Sequence, residues 1–235
     1  MKLRRLPETD LARIAPLAAD EKRKALKSFT SGGGSWSYDP ARAQNFNIVN
    51  PVSPLGLLSK RPSMEAIRKL IANRCTCDAQ EDSCLEVVDL FEEWYRRNAT
   101  GAVERAIPSM AIGSLGLVRY WENFFARVRD QNTFLFIDYR RQKGLTKAAR
   151  KFVFSMMHQQ IRVSDPDLHD ASLLILQFPQ WKSGRSIVDH ALLDDDLYSP
   201  SELSKMIDET YAIWLDILSE RKTAEPVKRV AGGFF

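Results

Sequence analysis

The sequence is short of the residues that most often build reactive or metal-binding centres. Three cysteines and three histidines occur in 235 residues. All the cysteines fall in one window, "CTCDAQEDSC" (Cys75, Cys77, Cys84). An odd number of crowded thiols argues against a disulfide framework. Zinc would need a fourth ligand recruited from His158, His169 or His190, and the C-x-C-x6-C spacing matches none of the common structural zinc patterns. Free thiols around a helix–helix turn are the expectation. Long apolar runs are also missing: nothing approaches the ~18 residues of a membrane helix. The start, "MKLRRLPETDLARI", carries positive charge with no apolar stretch behind it, so a secretory signal is not expected and a cytoplasmic location is. A phosphate-cradling loop is absent as well, because "SGGGS" lacks the lysine and the strand–helix context of a P-loop.

Charge of one sign does not dominate. Thirty-four basic residues face 30 acidic ones, a net charge of +4, so the molecule is no polycation. The charge is nevertheless clustered, with basic runs at Lys2–Arg5, Lys22–Lys27, Arg140–Lys151 and Arg221–Arg229 and acids at Glu81–Glu93 and Asp194–Asp196. A local basic surface attracts phosphates and releases them in salt. Amphipathic helices with solvated faces produce the same runs.

What is present suggests three segments. Residues 1–62 read as N-terminal helices followed by an extended aromatic arm, 63–222 as an α+β core domain, and 223–235 as a loose tail. Leu11, Ile14 and Leu17 repeat at helical spacing, and Pro16 separates them from Ala25, Leu26 and Phe29. Glycines and prolines between Thr30 and Pro62 forbid a continuous helix. Trp36, Tyr38, Phe46, Ile48 and Val49 are too apolar for a free linker, so the arm at 35–49 is expected to pack on the body or to be completed by a partner. A helix starts near Pro62–Ser63. In the next, "SCLE" has the form of a capping box with Ser83 as cap and Glu86 closing it. "NATG" reads as its stop.

From Ile107 the period changes. "IPSMAIGSLGL", "VRYWENFFARV" and "TFLFID" suggest an antiparallel meander of three strands. Thr146 caps a helix with Ala149, Phe152, Val153, Met156, Met157 and Ile161 on its apolar face. "ASLLILQF" is a buried strand with "GRSIVDHA" as a hairpin partner. Ser199, Pro200 and Glu202 open a last helix. The fold class expected is α+β: an antiparallel or mixed sheet of about four to five strands flanked by helices, with an N-terminal helical region.

One constellation carries chemistry. Residues two apart on a strand share a face, so Asp138 and Arg140 project together at the end of "FLFIDYRR". Glu122, placed on the neighbouring strand, is expected to converge on Asp138. Two such carboxylates hold Mg²⁺ through oxygen ligands, and a nearby cation stabilises charge on a phosphate. The order helix–strand–strand–strand–helix–strand with an acid-x-cation strand end resembles the PD-(D/E)XK nuclease-like superfamily. Over about Ser83 to Phe178, Asp138 stands at the second acid, Arg140 at the lysine position, Glu122 at the first acid and Glu86 at the helix acid. The resemblance implies phosphodiester chemistry or a descendant of it, with Asp138, Glu122 and Arg140 catalytic and Asp138 and Glu122 holding the metal. Arginine in place of lysine cannot act as a base. An acid beside arginines at a strand end also explains itself as a salt bridge that stops the strand.

Two functional expectations follow, from different classes. In the first the protein associates with DNA or RNA, with Arg141, Lys143, Lys147, Arg150 and Lys151 against the phosphates. In the second it is a non-catalytic interaction subunit of a larger bacterial assembly, engaging a protein partner through the 35–49 arm or the apolar "GGFF" terminus. Neither involves a membrane.

Overall fold

Along β5 (Gln131–Asp138) successive side chains enter two different cores, and the rest of the chain is arranged around that strand. Phe134 and Phe136 belong to one core, Leu135 and Ile137 to the other. This is the two-residue alternation of a strand buried on both faces. The computed structural model describes residues 5–29, 37–57, 59–112, 116–193 and 196–224. Trp36 and the "GGFF" terminus lie outside them.

The main sheet has five strands in the order β1 (Ala99–Glu104), β4 (Phe124–Val128), β5, β6 (Ser172–Gln177) and β9 (Val188–Ala191). β5 and β6 run parallel, and the other neighbours are antiparallel. The parallel pair is joined through α7 (Lys147–Met157), the long crossover that parallel pairing requires. Two small hairpins stand apart: β2 (Met110–Ile112) with β3 (Gly116–Val118), and β7 (Gln180–Trp181) with β8 (Gly184–Arg185).

Helices cover both faces. The first core is closed by α1 (Glu8–Ile14), α2 (Ala19–Ser28), α7 and α8 (Pro200–Ala224), which contribute Leu11, Leu26, Phe152 and Trp214. The second is closed by α3 (Asp39–Arg42), α4 (Asn45–Val49), α5 (Met64–Ala72) and α6 (Asp78–Asn98), which contribute Ala41, Ile48, Ile67 and Phe91. The molecule is an α+β protein with a mixed sheet between two helical layers, as expected from the sequence. No described helix is long and apolar enough to cross a membrane.

Several boundaries differ from the sequence reading, for local reasons. α6 begins at Asp78, so Ser83 is a buried mid-helix residue and not a cap. The helix formers before it extend the helix backwards by more than a turn. "NATG" ends α6 and at once begins β1, which becomes the first strand of the meander. The 107–118 stretch forms its own hairpin instead. The cap at Thr146 is present, accepting from the Ala149 N–H at 3.3 Å. So is the box at α8, where Ser199 N–H donates to Glu202 at 2.7 Å and Glu202 N–H to Ser199 Oγ at 3.3 Å.

Candidate interaction site

The carboxylates predicted to converge point to opposite sides of the sheet. Asp138, at the end of β5, lies on the first-core side with Phe134 and Phe136. Glu122 is not on a strand: it sits in the bend before β4, where the chain crosses from Tyr120 in the first core to Phe124 in the second. There it accepts from Asn45 Nδ2 at 2.9 Å, and Asn45 Oδ1 accepts from the Tyr139 hydroxyl. Burial pushes the Glu122 carboxyl up from its ordinary pKa, a shift that the Asn45 hydrogen bond and the nearby Arg42 and Arg119 offset in part.

Asp138 is 1% exposed and is fully engaged in tying the following loop to the strand ends. Its Oδ1 accepts from the Arg140 N–H at 3.3 Å; Oδ2 accepts from the Leu145 N–H at 3.2 Å and from Gln177 Nε2 at 3.4 Å. Desolvation raises its pKa, against the pull of Arg140 and these hydrogen bonds. Arg140 reaches away to Asp10 at 2.9 Å and Thr9 Oγ1 at 2.7 Å, fastening α1 to the strand end. Glu86 stands on α6 on the second-core side, 3.6 Å from Arg185. Among the described residues no group of three or more histidine, cysteine or acidic side chains is placed to hold a metal ion. Cys75 is half-buried against the second core, Cys77 is exposed, and burial pushes the Cys84 thiol up to about 12.

The basic residues divide into two kinds. Arg150 turns inward to Leu145 O at 2.9 Å and Gln177 Oε1 at 3.3 Å, and Lys151 pairs with Asp196 beside the Tyr198 ring. Arg141, Lys143 and Lys147 are exposed.

Most of the described part of the arm is packed on the body, while Phe46 remains 41% exposed. Tyr38 stacks on Tyr139 with centroids 6.0 Å apart, and Ala41, Ile48 and Val49 are buried in the second core. Two of the most exposed apolar side chains among the described residues lie just beyond it. Val52 bridges in parallel to Val103, its N–H donating to Ala102 O and its carbonyl accepting from Glu104 N–H, both at 2.9 Å. The chain then turns through Ser53-Pro54-Leu55-Gly56. Gly56 N–H donates to Ser53 O at 2.9 Å, with proline in the second turn position where its fixed φ belongs. The turn is closed twice more, by Ser53 N–H to Leu57 O at 3.0 Å and Leu57 N–H to Ser53 Oγ at 3.1 Å. At its base Asn50 Nδ2 donates to Ser59 O at 3.0 Å.

On this pinned scaffold Leu55 is 85% and Leu57 68% exposed. Scattered surface leucines need no explanation, but two on one rigid turn form a preorganised apolar tip. Beside it opens a groove of about 670 Å³, lined by Pro54, Val103, Arg105, Ile107, Phe125 and Asp165. An Arg105–Asp165 ion pair joins its walls, and the π-helical turn His158–Val163 contributes Gln160 to the rim. Such turns recur at functional sites. The sequence pattern does not single out "PLGL" within the extended 1–62 segment, because exposure of a leucine has no periodic signature. The available signal was an apolar pair inside a Pro-Gly turn.

The predicted carboxylate pair is thus not brought together, while an apolar tip stands exposed. Comparison with known proteins supplies the family. The chain belongs to the family of the sliding clamp-binding bacterial toxin SocB, whose sequence profile matches residues 9–224. It is 34% identical over 236 residues to the DNA replication inhibitor toxin SocB of Caulobacter vibrioides (strain NA1000 / CB15N), covering 99% of this chain and 98% of the relative. No solved structure matches. The PD-(D/E)XK resemblance is thereby overturned, and the nuclease-like and magnesium-dependent readings with it. It rested on element order and one strand-end acid, and the family match spans nearly the whole chain.

Proposed function

We propose that this protein binds a bacterial sliding clamp and inhibits DNA replication by occupying it, with the Val52–Leu57 turn as its docking element. The observation that carries the reading is the pinned pair of exposed leucines, in a chain related over its full length to a replication-inhibiting toxin of a clamp-binding family. Inhibition of this kind needs no bond-breaking chemistry. A protein that covers the surface through which a clamp engages its clients stops them by exclusion.

The energetics suit the task. Burying one exposed leucine contributes about 1.5–3 kcal/mol, and interface energy concentrates in a few well-seated anchors. The turn's closing hydrogen bonds remove most of the ordering entropy that a flexible peptide would lose on binding. The groove beside the tip offers Val103, Ile107 and Phe125 as an apolar extension of the contact. The arm precedes the turn in the chain, and its exposed Phe46 is a further apolar side chain available to a partner.

The test is direct. Purified chain and clamp from the same bacterium should co-elute in size-exclusion chromatography, and the chain should block clamp-dependent primer extension while leaving clamp-independent extension intact. Inhibition of both reactions alike would reject the clamp as the target.

A further inference from the structure

We propose that the Arg140–Leu145 loop and the β7–β8 hairpin form a binding surface for single-stranded DNA, with Trp181 as a stacking platform and Arg141, Lys143, Lys147 and Lys182 as phosphate contacts. The surface is separate from the leucine turn and does not rest on the clamp reading.

The two segments that build the surface are free of acids, and the carboxylate that meets the hairpin from another element, Glu86 on α6, lies 3.6 Å from Arg185. No aspartate or glutamate occurs between residues 139 and 164, nor between 171 and 188. These are the segments that follow or contain the carboxyl ends of the parallel strands β5 and β6. The acid that stands there, Asp138, is buried and turned to the loop's own N–H groups.

Hydrogen bonds hold the two pieces together. Gln180 N–H donates to Arg141 O at 3.3 Å, and Arg141 Nε donates back to Gln180 Oε1 at 2.9 Å. Trp181 follows directly in the chain. Its indole Nε1 donates to Ser186 Oγ at 3.0 Å, fixing one edge of the ring, while the residue remains 55% exposed. An exposed tryptophan anchored by its polar edge offers a flat apolar face to water. A base can cover that face only if it is not already stacked in a duplex.

The neighbouring cations are sorted as this role requires. Arg140 is occupied by Asp10, Arg150 by Leu145 O and Gln177, and Arg185 by Tyr139 O, Phe178 O and Glu86. Arg141, Lys143, Lys147 and Lys182 are exposed, and none makes an ion pair among the described residues. An exposed aromatic face on segments that also carry unpaired cations suits sequence-tolerant single-strand binding.

The experiment is fluorescence anisotropy of a labelled oligothymidylate titrated with the full chain at low and moderate salt. Binding should weaken with salt. Trp181→Ala should weaken it about tenfold, the effect of losing one stacked base. The triple variant Lys143→Gln, Lys147→Gln, Lys182→Gln should flatten the slope of log affinity against log salt by about 2, since each phosphate contact contributes about 0.7. Circular dichroism confirms that both variants are folded. Absence of binding at low salt, or variants that bind like the parent, would overturn the proposal. So would polyglutamate or blunt duplex binding as tightly as the single strand, because the patch would then be a general cation surface with no stacking role.

Discussion

Asn45 and Glu122, 77 residues apart, are joined by a hydrogen bond of 2.9 Å from the amide nitrogen to a partly buried carboxyl oxygen. With the Tyr139 hydroxyl donating to Asn45 Oδ1, they form a three-residue chain that fastens α4 to the bend before β4 and to the end of β5. This link holds the arm, and the leucine turn that follows it, against the body.

The link has a pH signature. Glu122 has a raised pKa in the folded protein, chiefly through burial. The folded state therefore holds the proton more tightly than the unfolded one. Its contribution to stability is full below the unfolded value of about 4.3 and is lost as pH rises through the elevated folded value. Glu122→Gln keeps an oxygen for Asn45 Nδ2 and has no charge to bury. The variant should melt at higher temperature than the parent at neutral pH, with the two curves converging near pH 4. Thermal melts across that range check it.

Removing the middle member should be costly. Asn45→Ala leaves the Glu122 carboxyl and the Tyr139 hydroxyl without this partner in a buried site, and each orphaned group costs about 1–3 kcal/mol. Urea unfolding should show a loss of about 2–4 kcal/mol.

At the other end of β5, Asp138 should prove to be a structural residue. Asp138→Ala strips acceptors from the N–H groups of Arg140 and Leu145, and the same 1–3 kcal/mol per buried group applies. Gly144→Ala should act through the same network more mildly, by about 1 kcal/mol. A Cβ there would lie 2.6 Å from Gln177 Nε2, pushing that flexible amide off Asp138. Chemical denaturation of both variants, with clamp binding unchanged while they remain folded, is the expected outcome.

The pair that locks α2 to α8 gives a further check. Lys22 is 1% exposed and meets Glu209, whose side chain is 42% exposed. Glu209→Ala leaves an uncompensated buried ammonium and should cost about 1–3 kcal/mol, less than a fully buried pair because water reaches the carboxylate. Lys22→Met removes the charge itself and should be better tolerated, as differential scanning calorimetry will show.

Much of this architecture was legible in the residues. The apolar runs in "TFLFID" and "ASLLILQF" mark two central strands, and the caps at Thr146 and Ser199 mark two helix starts. The first strand was missed because "NATG" carries stop signals for a helix and too little apolar alternation for a strand. Glu122 was misplaced because aromatic bulk in "RYWENFF" looks continuous, while the chain there bends between two cores. The leucine turn was invisible for a related reason: whether a leucine faces core or water is decided by the fold around it. The burial of the 37–49 segment likewise depends on α5, α6 and Tyr139, which are distant in sequence.

The central claim is the docking role of the turn, and one measurement tests it most directly. Leu55→Ala with Leu57→Ala should leave the melting temperature unchanged, since both side chains are already in water. Isothermal titration of the clamp with this double variant should show affinity at least about tenfold weaker than with the parent, because two interface anchors are removed. A folded double variant that binds the clamp as tightly as the parent would contradict the account.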